Sequence, residues 1–149
     1  MPTIVAASDA DWVRDHIRAA LCGPGFEVID VERGHDVRKA VADKHPDLVI
    51  VDLQIANMGG MAVSIDLRLE ESGGRLPYVP ILLLLDREAD KFLARRSDVD
   101  AMLVKPIDPG TLRRTVKNLL AAEEQRRNAD HDQLRADDET PSGVEEPVG

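Results

Sequence analysis

Short apolar runs alternate with segments of helical period through most of the chain. The runs at 3–7, 26–31, 48–52, 79–85 and 101–104 predict five strands, and the third and fourth are so continuously apolar that both of their faces should be covered. Between them lie amphipathic segments. Val13, Ile17, Ala20 and Leu21 fall at i, i+4, i+7 and i+8, and Gly23-Pro24-Gly25 stops that helix. A second helix is expected over 36–44 with Val37, Ala40 and Val41 inward, before His45-Pro46 breaks it. A third runs from Gly60 to Gly73-Gly74 with Ile65 and Leu69 on one face, and a fourth, short and strongly charged, over 87–95. The fifth opens at Asp108-Pro109, a cap followed by proline at the first helical position, and carries Leu112, Val116, Leu119 and Leu120. Strands alternating with helices through short connections predict an α/β fold, a doubly wound five-stranded parallel sheet between two helical layers.

Charge changes the picture at one end. The chain has 149 residues, 28 acidic against 19 Lys and Arg, and a formal net charge of -9. Nine of the acids and only three arginines fall in 123–149, and past Leu134 the sizeable apolar side chains are Val144 and Val148. Residues 1–122 therefore read as the domain, and 123–149 as an acidic tail that continues the last helix, frays and becomes disordered. A net negative field disfavours nucleic acid and anionic membranes as direct partners. The N-terminus has neither a basic segment nor a long apolar one, and no stretch is apolar enough to span a bilayer, so the expected location is cytoplasmic. The single cysteine, Cys22, excludes an intrachain disulfide and a thiolate zinc site and reads as a small packing residue. His16, His35, His45 and His131 have no metal-ligand spacing.

In doubly wound sheets, ligands bind beyond the carboxyl ends of the strands. The residues there are Ser8 and Asp9, Asp52, Leu85 and Asp86, and Lys105. Two carboxylates, Asp9 and Asp52, converging on one edge could hold a hard cation such as magnesium with water completing its shell. Lys105 offers an ammonium for a carboxylate or a phosphoryl oxygen. An aspartate between a cation and an ammonium is ionised and can attack a phosphoryl donor.

The sequence resembles the receiver domain of two-component response regulators over nearly all of 3–122. The resemblance is carried by Ile4-Val5-Ala6-Ala7-Ser8-Asp9 followed by Arg14, by Pro46-Asp47-Leu48-Val49-Ile50-Val51-Asp52-Leu53, by Met58-Gly59-Gly60, by Val79-Pro80-Ile81 and by Val104-Lys105-Pro106. It implies a flavodoxin-like sheet of order 2-1-3-4-5, Asp52 as phosphoacceptor and Lys105 as the lysine on the phosphoryl group. It implies a magnesium ion, weakly held by Asp9, Asp52 and the Gln54 backbone carbonyl, with Ser8 or Asp86 as candidates for a further contact. The donor would be a histidine kinase or histidine phosphotransfer protein. Output would pass to a downstream protein through the face of helix 4, strand 5 and helix 5, with homodimerisation through that face left open.

This chain departs from the pattern at the same strand ends. Ser8 replaces the first of the usual acidic pair. Leu85 stands where a Thr or Ser normally bonds the phosphoryl group, Asp86 where the residue is usually small, and Met102 where a switching aromatic is common. Ala56 replaces a common proline, and the stretch from Leu85 to Lys105 is slightly short, so helix 4 should be abbreviated. Three functions follow: a receiver phosphorylated on Asp52, a phosphate-independent receiver-like adaptor or scaffold, and a small magnesium-dependent phosphohydrolase. The third lacks any lid insertion to enclose a substrate, so turnover beyond the chain's own aspartyl phosphate is not expected.

Overall fold

The computed structural model describes residues 1–23 and 25–139, so the disorder expected at the far end of the tail falls outside the described residues. The elements are β1 (Thr3–Ala7), α1 (Asp11–Ala20), β2 (Glu27–Val31), α2 (Val37–Lys44), β3 (Leu48–Asp52), α3 (Gly60–Ser72), β4 (Ile81–Leu85), α4 (Asp90–Ala94), β5 (Ala101–Val104) and α5 (Pro109–Glu139), with 3-10 turns at Gly34–Asp36 and Arg95–Ser97. All strand pairs are parallel, in the order β2-β1-β3-β4-β5. This is the flavodoxin-like order that the resemblance to receiver domains implies, on the parallel sheet that the alternation of apolar runs predicts.

Two cores form on the two sides of the sheet because alternate residues of each strand point in opposite directions. Val5, Val49, Val51, Ile81, Leu83 and Leu85 pack with Val37, Val41, Val63 and Leu67 from α2 and α3. Ile4, Ala6, Leu48, Ile50, Leu82 and Leu84 pack with Val13, Ile17, Leu112 and Val116 from α1 and α5. Every residue of β3 and β4 is buried, as their unbroken apolar runs predict. β4 begins at Ile81 rather than at Val79, since Pro80 has no N–H to give to the ladder.

The inward face of α3 is not that of Ile65 and Leu69. Both are exposed, and the buried positions are Gly60, Val63, Ser64, Leu67 and Glu70. The cause is a close approach at the first turn, where a Cβ on Gly60 would lie 2.6 Å from the Asp52 carbonyl oxygen and 2.8 Å from Leu53 Cα. That contact fixes the rotation of α3 about its axis and turns the larger side chains at 65 and 69 outward. Cys22 is likewise exposed instead of packed, because Leu21 takes the inward position at the end of α1.

α4 is a single short helix of 5 residues, in keeping with the shortened connection. α5 is capped as its sequence predicts, with the Thr111 N–H donating to Asp108 Oδ2 at 2.8 Å. It continues past residue 122 without a break, and its packing on the domain continues as well. Glu123 is buried and accepts hydrogen bonds from Arg126 and Arg127, and Arg127 pairs with Asp47 at 3.8 Å. The Arg126 guanidinium sits 3.9 Å from the Tyr78 ring centroid, which Arg68 also approaches, at 4.7 Å. Among the described residues no helix is long and apolar enough to cross a membrane.

Candidate functional site

The register of the sheet brings the strand ends together. Ala7 lies opposite Val51, Asp52 opposite Leu84, and Leu85 opposite Val104, so Ser8 flanks Asp52 on one side while Asp86 and Lys105 close the other. Asp52 is only 2% exposed. A carboxylate so buried needs partners for its lone pairs, and it has three donors. Lys105 Nζ donates to Oδ1 at 2.6 Å, the Gln54 N–H donates to the same oxygen at 3.1 Å, and the Ser8 hydroxyl donates to Oδ2 at 2.8 Å. Four lone-pair sites on a carboxylate less three donors leave one, on Oδ2.

Lys105 is shared. Its ammonium also meets Asp86 Oδ1 at 3.1 Å, so one lysine bridges a buried aspartate and a partly exposed one. The sequence placed the Asp86 charge at the mouth of the site; the structure gives that charge a cation to face. Ser8 is fully buried, and its Oγ accepts the Ala10 N–H at 3.1 Å while its hydrogen goes to Asp52. Asp9 is exposed and does not cap α1, whose N-cap residue is Ala10.

Beneath Ser8 lies the buried Arg14, which donates to the Ser8 carbonyl and pairs with Asp11 and with Glu32, the latter at 3.2 Å. This anchors the turn that presents the hydroxyl. Leu85 is fully buried in the core with no polar atom to offer the site, and Met102 packs partly buried against the same core. Among the described residues no group of three or more His, Cys, Asp or Glu side chains is placed to hold a metal. A cavity of about 500 Å³ between α2 and α3 has none of Ser8, Asp52, Asp86 and Lys105 in its lining.

One neighbour was not signalled as functional by the sequence reading. Trp12 lies on α1 with its ring centroid 5.8 Å from Lys105 Nζ. The available signal was a lone tryptophan three residues past Asp9, next to an inward-facing Val13 and so off the apolar stripe of its helix.

The sequence matches the response regulator receiver domain across residues 4–117. It is 30% identical over 138 residues to the transcriptional regulatory protein GltR of Pseudomonas aeruginosa, covering 91% of this chain and 53% of that one. It is 26% identical to protein PilH of the same organism, covering 81% of this chain and 99% of PilH. The chain thus spans about half the length of the first of these relatives and nearly all of the second. Among solved structures, the beryllofluoride-activated receiver domain of Klebsiella pneumoniae RstA superposes with a TM-score of 0.69 at 28% identity, covering 79% of this chain and 97% of that one. The receiver domain of a Pseudomonas aeruginosa sensor histidine kinase, solved with magnesium in its active-site cleft, has a TM-score of 0.71 at 21% identity and covers 80% and 98% of the two chains. A match to the receiver family over most of the chain, the 2-1-3-4-5 sheet and a buried aspartate with its lysine at the strand ends have one common reading: the chain belongs to the response regulator receiver domain family.

Proposed function

We propose that this chain is a two-component receiver that takes a phosphoryl group on Asp52 from a histidine kinase or phosphotransfer protein and acts through protein contacts. The observation that carries this reading is the buried Asp52 carboxylate held 2.6 Å from the Lys105 ammonium at the end of β3. An Asp52 oxygen attacks phosphorus, a P–O bond forms, the P–N bond to the donor histidine breaks, and its electron pair stays on the imidazole. Lys105 and the Gln54 N–H, which now neutralise Oδ1, are the groups able to turn toward phosphoryl oxygens. With one lone pair left on Oδ2, attack and cation binding cannot both proceed until Ser8 or Lys105 releases its hydrogen bond.

Magnesium keeps much of its water and typically takes one or two carboxylates plus a phosphate. Asp9, Asp52 and the Gln54 carbonyl fit that demand; Ser8 and Asp86 are committed to Asp52 and Lys105. When bound there, the ion would supply neutralisation of phosphoryl charge. With only two carboxylates in the set, it should bind weakly and chiefly with the phosphoryl group.

For output, the face of α4, β5 and α5 presents Phe92 and Leu93, both exposed on α4, as contacts for a downstream protein or a second copy. The receiver domain is proposed to comprise residues 1–122, with the acidic tail, 123–149, adding its first turn to the packing through Glu123, Arg126 and Arg127.

Intact mass after incubation with acetyl phosphate and magnesium, run beside Asp52→Asn, tests the reading. One added phosphoryl group, absent from the variant, is the expected result. A second reading, a phosphate-independent adaptor, is favoured by Leu85, which leaves the phosphoryl group without a hydroxyl partner from the end of β4. No uptake at high magnesium, with kinases included, would select it.

A further inference from the structure

Packing does not explain the position of Trp12. α1 buries Val13, Ile17 and Ala20 against the sheet, while Trp12 is 54% exposed on the helix's outer side. The half-exposed indole keeps its polarisable face free to meet a charged neighbour. Its ring contacts are with His16, edge to face at a centroid distance of 5.5 Å, and with the Lys105 ammonium at 5.8 Å. An indole face attracts a cation within about 6 Å through its quadrupole.

Lys105 therefore has three neighbours that favour its charge: Asp52, Asp86 and Trp12. The first is weakened as an anchor when Asp52 becomes an acyl phosphate through Oδ2, because Oδ1, which held the ammonium, is then a neutral carbonyl oxygen and the negative charge lies on the phosphoryl oxygens. Asp86, the more exposed of the two acids, would draw a four-carbon flexible side chain toward solvent. The ring opposes that drift. We infer that Trp12 is a positioning residue, whose indole face holds the Lys105 ammonium over the acceptor site so that it can pass from Asp52 to a phosphoryl oxygen. This rests on the reading of Asp52 as phosphoacceptor and adds to it a residue on α1 that the departures at β4 and β5 leave as a neighbour able to sense where Lys105 is.

The test uses the full chain as wild type, Trp12→Phe and Trp12→Leu. Without any phosphodonor, NMR of the Lys105 side chain should show methylene protons shifted upfield by the aromatic ring, the shift lost in Trp12→Leu and partly kept in Trp12→Phe. With acetyl phosphate and magnesium, uptake should slow about two- to fivefold in Trp12→Leu and recover in Trp12→Phe. An unchanged lysine spectrum in Trp12→Leu, or Trp12→Phe no better than Trp12→Leu in both measurements, would overturn the assignment. If no protein takes up phosphate, wild type included, the reading of Asp52 fails by itself, and the lysine spectrum still decides whether Trp12 holds the ammonium.

Discussion

Ser8 and Asp52 meet at 2.8 Å through a donated hydroxyl hydrogen, so β1 and β3 end in a hydrogen bond rather than in two carboxylates facing each other. The hydroxyl satisfies Asp52 Oδ2 without setting a second charge beside it. Converting Ser8→Asp removes the donor and sets a second buried charge beside the first, which should lower stability by about 3 kcal/mol or more. A cation would relieve that repulsion. Thermal melts should therefore show magnesium raising the Tm of Ser8→Asp far more than that of wild type, through binding to the folded state alone. Equal shifts in the two proteins would mean that Ser8 does not set the cation affinity.

Asp86 divides the lysine. Its carboxylate draws Lys105 from Asp52 and adds negative charge where a phosphoryl group would arrive. Asp86→Ala removes both effects at a partly exposed position, so the fold should be little changed. Uptake from acetyl phosphate should rise several-fold. Slower uptake would show that Asp86 helps, by holding the ammonium or a cation, and would return it to the set of cation ligands.

The order of the strands came from the family resemblance. The alternation of strands and helices, both cores and the Asp52–Lys105 pair were legible because each depends on a pattern the chain carries locally: an unbroken apolar run, a helical period, a charged residue at a strand end. The outward turn of Ile65 and Leu69 was not, because apolar spacing in α3 fits two rotations about the helix axis. The choice is made by Gly60 against the backbone at Asp52 and Leu53, a contact between segments. Trp12 over Lys105 and Asp86 on the same ammonium were hidden for a similar reason. Each needs residues from two separate segments to be placed within a few ångströms, and a linear pattern records only the segments.

Tyr78 gives the fold a dependence on alkaline pH. Burial first, then its hydrogen bond to Asp100 and the charge of Asp100, push the phenol well above its ordinary value, with Arg68 opposing. A raised phenol keeps its proton in the folded state after the unfolded chain has released it. The unfolded state then binds fewer protons, and stability falls as pH rises. The contribution should be fully present below about pH 10, the ordinary tyrosine value, and decline above it. Urea melts across that range should show a steeper loss for wild type than for Tyr78→Phe. Parallel curves would place the alkaline sensitivity elsewhere.

The last helix should be needed for stability further along than its composition suggests. A chain ending at residue 122 loses the Arg126 guanidinium over Tyr78, the Arg127 pair with Asp47 and the buried Glu123 that joins both arginines. The exposed ion pair contributes little by itself, but the cation over the ring is worth about 0.5–1 kcal/mol. Tyr78 and the foot of β4 also become open to solvent when α5 is cut there. A chain ending at residue 128 keeps all of these contacts. Thermal melts should place the 122-residue chain a few degrees below the full-length protein and the 128-residue chain level with it. Equal Tm values for all three would confine the folding unit to residues 1–122 and reduce the contacts of Arg126 and Arg127 to surface decoration.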